Sequence, residues 1–195
     1  RGLGDVYKRQ MESYGILDAM GLTSRIVLDA NIYTMNNRAE AFWMKKGILG
    51  DTVPLELNAK ELVHRNNKNS ELTVYGYTPM MVSVQCVQKT MDHCNHACVQ
   101  YVLKDRYQKE FRGVCSCEFC YNTIYNTLPT SLLKEKEKAE KLGVKAYRLS
   151  FTTETQQETE KIVRAFVDVY LRGQKPDGQM QTEETTKGHF QRGVE

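Results

Sequence analysis

All six cysteines of this 195-residue chain fall at positions 86, 94, 98, 115, 117 and 120. Thiols that merely pack have no reason to cluster. Clustering without a secretory segment points to a metal site in a reducing compartment rather than a disulfide scaffold. Cys117-Glu-Phe-Cys120 has the two-residue spacing whose turn aims both sulfurs at one ion. Tetrahedral zinc wants a second close pair, for which Cys94 with Cys98 or with His96 is available. A four-iron cluster also takes four thiolates and tolerates irregular spacing, so the residues alone leave the metal open. His64 and His189 lie far from the cysteines in sequence and read as surface or packing residues.

Two carboxylates are the other candidates for chemistry. Glu56, in Pro-Leu-Glu-Leu-Asn, is a charge in an apolar run and needs a partner or a shifted pKa, unless it points outward or caps the next helix. Asp29 closes the run Arg-Ile-Val-Leu-Asp and carries the same two readings.

The elements that must position these residues alternate. A strand over 25–29 precedes a helix over 37–46, where Asn37 and Glu40 have capping-box spacing and Gly47 is a stop; Ala39, Phe42, Trp43 and Lys46 form its stripe. A strand over 53–57 and a short helix over 59–65 follow, then a strand over 72–77. Beyond the cysteines come a charged helix from Pro129 and Ser131 to Leu142, a strand over 144–151, and a helix over 155–172. That last helix opens on Thr155 and Glu158 and buries Ile162, Val163, Phe166, Val167 and Tyr170.

Alternation of this kind means βαβ units and a parallel sheet, with chemistry at the carboxyl ends of the strands. A closed (β/α)8 barrel takes about 250 residues, so the expected fold is α/β: a partial (β/α) barrel-like parallel sheet with an irregular cysteine-rich insertion.

Several segments in order resemble peptidase family U32, the collagenase-like proteases. They are Leu72-Thr-Val-Tyr-Gly-Tyr-Thr-Pro-Met-Met-Val-Ser-Val-Gln-Cys86, Tyr101-Val-Leu-Lys-Asp-Arg-Tyr107 with Phe111, and Cys120-Tyr-Asn-Thr-Ile-Tyr-Asn126. Tyr33-Thr-Met-Asn36, Pro54-Leu-Glu-Leu-Asn58, Tyr147-Arg-Leu-Ser-Phe-Thr152 and Thr186-Lys-Gly-His-Phe-Gln-Arg-Gly-Val-Glu195 agree. The likeness runs from about residue 23 to the end and is to the C-terminal part of large bacterial members.

It implies a barrel whose remaining strands lie upstream in the same parent chain, and a peptidase of uncertain catalytic type. Other members hydroxylate RNA or quinones and carry a four-cysteine iron–sulfur cluster. By position Cys86, Cys94 and Cys120 match the recurring cysteines, with Cys117 the fourth ahead of Cys98, and Cys98 and Cys115 as alternates. The family's Glu-x-Phe-x-His-Gly-Ala segment is not present; Tyr75-Gly-Tyr-Thr-Pro-Met-Met stands there without its histidine. The catalytic residues are therefore unassigned, with Glu56 and Asp29 as weak candidates.

The domain reading follows. Residues 1–10, Arg-Gly-Leu-Gly-Asp-Val-Tyr-Lys-Arg-Gln, resemble a translated sequencing adaptor; 11–78 are βα units, 79–128 the metal-binding region, 129–173 a helix–strand–helix unit and 174–195 a loose tail. A charge balance of 27 Lys+Arg against 24 Asp+Glu excludes a disordered polyelectrolyte and gives nucleic-acid binding little support. Cytoplasmic location is expected, with no membrane partner. The expected function is a peptidase-like fragment with a 4Fe–4S cluster acting on a peptide or protein. The alternatives are an RNA-hydroxylating enzyme with an RNA substrate and a zinc-stapled, non-catalytic interaction module.

Overall fold

The computed structural model describes residues 6–8, 11–91, 94–176 and 184–194. In chain order the elements are β1 (Val6–Lys8), α1 (Met11–Ala19), β2 (Ile26–Leu28), α2 (Asn37–Lys45), β3 (Gly50–Thr52), α3 (Ala59–Leu62), β4 (Ser70–Gly76) and β5 (Pro79–Ser83). Then follow α4 (Val87–Thr90), β6 (Gln100–Lys104), β7 (Glu110–Ser116), β8 (Tyr121–Tyr125), β9 (Thr130–Ser131), α5 (Lys136–Glu140), β10 (Ala146–Ser150) and α6 (Gln156–Phe166). They divide into two compact units: residues 1–74, 132–149 and 187–195, and residues 75–131 and 150–186. Among the described residues no helix is long and apolar enough to cross a membrane.

The first unit is the expected α/β part. Its sheet runs β1-β2-β3-β4-β10, and the pairs β1–β2, β2–β3 and β3–β4 are parallel. β1 falls inside the adaptor-like segment; backbone pairing is open to any non-proline residue, so it says nothing of that segment's origin. Ile26 and Leu28 of β2 pack with Trp43 and Ile48, and Tyr14 meets Trp43 edge-on with ring centroids 5.0 Å apart. Asn36, one residue before the expected cap, accepts from the amides of Arg38 and Ala39, each at 3.0 Å, and starts α2. Trp43 turns inward while its neighbour Phe42, expected on the same stripe, is exposed.

β3 lies at Gly50–Thr52 rather than at 53–57. Pro54 has no amide to give to a ladder, so the chain leaves the sheet at Val53, and Leu55 and Glu56 form a turn. The strand instead holds Asp51, a buried carboxylate paired with Arg65. Gly50 is needed because a Cβ there would press on the backbone carbonyl of Asn69, which has no flexible end to yield. Gly50→Ala is expected to cost about 1–3 kcal/mol, measured by urea denaturation; an unchanged midpoint would contradict this contact.

α3 starts at a capping box in which Asn58 accepts from Glu61 N while Glu61 returns the bond to Asn58 N at 2.8 Å. The charged segment after Pro129 is not one helix to Leu142. It gives β9, a single 3₁₀ turn at Leu133–Glu135, and the short α5. Within the tail, residues 177–183 lie outside the described residues, but Phe190 is buried in the first unit and Lys187 pairs with Glu135. Burial raises the Glu135 pKa, but the Lys138 and Lys187 ammonium groups win and hold its carboxyl below the usual carboxylate range.

The second unit corrects the expectation of an irregular insertion. Its cysteine-rich segment folds into a four-stranded antiparallel sheet, order β5-β8-β7-β6. The reason is local: β6 alternates strictly, with Tyr101 and Leu103 turned in and Gln100, Val102 and Lys104 out. Asp105 then accepts from the amides of Tyr107 (2.8 Å) and Lys109 (2.9 Å), closing the hairpin to β7. The basic run 104–112 is therefore hairpin, with Lys104 paired to Glu110 at 2.9 Å and the Arg112 guanidinium over the Tyr77 ring at 4.8 Å.

Tyr75 packs on Phe151 and Phe166, centroids 5.5 and 6.1 Å away. α6 opens on the Thr155–Glu158 capping box as expected. The chain continues past α6 in a π-turn, Val167–Leu171, in which Val169 is buried; Val163, Val167 and Tyr170, expected to be buried, are half-buried.

Candidate metal centre

β7 carries Cys115 into the interior of the second unit, where it is fully buried and its amide donates to Val99 O at 2.9 Å. Two further thiols reach it. Cys86, at the start of α4, places its Sγ 3.6 Å from that of Cys115, and Cys117, just past the end of β7, places its own at 3.4 Å. Cys117 also donates its S–H to Ala97 O at 2.8 Å. All six cysteines are free thiols. Cys94, Cys98 and Cys120 are exposed, Cys120 with its Sγ 3.7 Å from Cys117 O.

Of the four cysteines ranked first from the sequence, Cys86 and Cys117 are thus brought together, through Cys115, while Cys94 and Cys120 stay at the surface. The alternate Cys115 is central because it lies on a strand that the sheet buries. Cys94 and Cys98 lie in the connection before β6, and His93 beside them is outside the described residues. His96 sits in the same connection with φ +56°.

Thiolates are donors for soft ions. Thiolates sharing one tetrahedral ion at about 2.3 Å lie about 3.8 Å apart, close to the two spacings seen, whereas a four-iron cluster spreads its thiolates over separate irons. Among the described residues no group of three or more His, Cys, Asp or Glu side chains is placed to hold a metal ion. The amide of Lys89 draws the Cys86 thiol down, while burial pushes the Cys115 thiol up to about 12.

Polar groups of neighbouring residues are left without partners. Asn122, directly opposite Cys115 in the ladder and 1% exposed, donates Nδ2 to Gln85 O at 2.8 Å but leaves Oδ1 buried without a partner. Gln88 donates Nε2 to Ala97 O at 3.2 Å, the carbonyl that Cys117 also uses, and its Oε1 is likewise unpartnered. The Tyr101 hydroxyl is a third. Burial, then the Cys115 and Cys86 sulfurs, push its pKa up and keep it an O–H donor. These three oxygens are buried without partners on residues that neighbour the thiols in the chain or the ladder.

The carboxylate candidates lie in the first unit. Asp29 is buried and accepts from Ala30 N at 2.7 Å, capping a 3₁₀ turn, with Arg148 Nη1 at 4.0 Å. Arg148 also reaches Glu71 Oε1 at 3.2 Å and Thr52 Oγ1 at 3.4 Å, and Thr52 donates to Glu71 at 2.8 Å. The sequence reading missed Glu71 and Thr52; a carboxylate at the start of an apolar strand was the available signal. Glu56 stands in the turn after β3 with Oε2 buried and unpartnered. Comparison with family models, curated proteins and solved structures finds no match for the chain.

Proposed function

We propose that this chain is the metal-carrying C-terminal part of a U32-type, collagenase-like peptidase. Its first unit contributes strands to a partial (β/α) barrel, and its second holds a four-iron cluster. The clustering of all six cysteines within residues 86–120 carries this reading. The ordered U32-like segments and the parallel βα order of the first unit support it. Cys86, Cys94, Cys117 and Cys120 are the proposed ligands, with Cys98 and Cys115 as alternates; Glu56 and Asp29 are the carboxylates to test for a catalytic part. The site is cytoplasmic in this reading.

A mononuclear zinc site is the second reading, favoured by sulfur spacings of 3.4 and 3.6 Å. RNA hydroxylation by a relative of the same family predicts a changed RNA modification profile when the parent gene is lost. The optical spectrum of anaerobically purified protein separates the metals: a brown sample absorbing near roughly 400 nm supports the cluster, and a colourless one carrying zinc supports the second reading. For the peptidase role, the parent enzyme with Cys86, Cys94, Cys117 and Cys120 all changed to Ser is expected to lose gelatin cleavage. Full retention would contradict any part for the site in proteolysis.

A further inference from the structure

We propose that Arg112 anchors a binding site for an oxyanion, the carboxylate or phosphate group of a small ligand, in a cleft on the antiparallel sheet of the second unit. The site stands whether or not the cysteines hold a metal. The cleft, about 350 Å³, has Gln100 and Val102 of β6, Glu110 and Arg112 of β7 and Thr127 beyond β8 in its lining. That volume falls within the roughly 300–1,000 Å³ of small-molecule sites. Arg112 lies directly opposite Val102 in the β6–β7 ladder and Glu110 opposite Lys104, so these four residues share one face of the sheet.

Arg112 is half-buried, yet among the described residues no carboxylate lies within ion-pair distance of its guanidinium. Of its five N–H donors one is spent, Nη1 on Thr153 Oγ1 at 3.3 Å, and its Cζ sits over the Tyr77 ring at 4.8 Å. These two contacts orient the fork without neutralising it. The neighbouring carboxylates have other partners. Glu110 pairs with Lys104 at 2.9 Å, and Glu158 accepts from Thr155 N at 2.7 Å in the α6 capping box. Glu154 accepts through one oxygen from the amides of Thr152 and Thr153, at 2.7 and 2.9 Å. A cation drawn out of water without a counter-ion is costly, and a planar fork of uncommitted donors matches two oxygens of a carboxylate or phosphate. Gln100 and Thr127 add neutral donors to the lining. The field favours an anion as well: residues 104–112 carry four cations against two carboxylates, and that of Asp105 already receives the amides of Tyr107 and Lys109.

The test is calorimetric titration of the full chain with two probes, inorganic phosphate and N-acetylglycine, at physiological ionic strength so that distant charges are screened. Saturable binding of at least one probe is the expected result, and the tighter of the two assigns the group. Arg112→Gln weakens it about tenfold or more, the loss of a charge-assisted pair. Lys109→Ala, which removes the same charge from outside the cleft, retains it. Val102→Glu keeps the test open if Arg112→Gln folds poorly. Position 102 is exposed and directly opposite Arg112, so the introduced carboxylate pairs with the guanidinium and displaces the anion while the unfolding midpoint stays equal or rises. No saturable binding of either probe overturns the proposal. So does an equal loss in Arg112→Gln and Lys109→Ala, which marks general attraction to a basic hairpin, and so does binding unchanged in both Arg112→Gln and Val102→Glu.

Discussion

Arg65→Ala is expected to destabilise the first unit by about 3–5 kcal/mol, the cost of leaving a buried charge without its partner. Arg65 and Asp51 are both nearly inaccessible and form an ion pair. Around it Arg65 donates Nε to Thr34 O at 2.8 Å and Nη1 to Asn67 Oδ1 and Ser70 Oγ, each at 2.9 Å. Asp51 accepts in turn from Ser70 Oγ at 2.5 Å and from Thr34 Oγ1. Asn67 then ties the group to Leu62 O at 2.8 Å and Leu142 O at 3.1 Å. Every donor of this group is used, so its work is to pin β3, β4 and the α3 loop in register rather than to do chemistry. The double variant Asp51→Ala/Arg65→Ala should cost less than the sum of the two single changes, since neither leaves the other stranded. Urea denaturation measures both. A single-variant loss below about 1 kcal/mol would show the network is not what holds this part together.

Cys86→Ser with Cys117→Ser is expected to reduce bound metal on the order of tenfold or more, whereas Cys98→Ser keeps it. The two are ligands in the sequence-based set and also the two thiols that meet Cys115. A structural thiolate site binds its ion with about 10–16 kcal/mol, and losing two of four ligands removes much of that. The same loss should lower the thermal midpoint of the second unit, because ligand binding to the native state is part of its stability. Elemental analysis of the purified variants reads the first effect and thermal unfolding with and without chelator the second. Metal content unchanged by the double substitution would rule these two thiols out as ligands.

What was legible in the sequence was what depends on near neighbours. The capping box at Thr155 and Glu158, the stop after α2 and the apolar run of β2 need only a turn or two of chain, and each is found where the residues put it. The misplacement of β3 shows the limit. Gly-Asp-Thr looks like a turn, and only Arg65 and Ser70, 14 and 19 residues away, make Asp51 a strand residue. The antiparallel sheet is marked locally only by the in–out alternation of β6 and the Asp105 turn, while its pairing joins strands separated by the cysteine-bearing connections. Clustering of the thiols was visible, but not which ones meet, because that depends on Cys115 lying on a paired strand and Cys94, Cys98 and Cys120 lying beside it in loops.

The claim on which the rest stands is that the second unit holds a metal through its cysteines. Iron, zinc and acid-labile sulfide determined together, per chain, on protein purified without oxygen test it most directly. The account predicts iron with matching sulfide, or zinc alone if the ion is single. Protein that folds with six reduced thiols and no metal of either kind, even after anaerobic reconstitution with iron, sulfide and zinc, would contradict it.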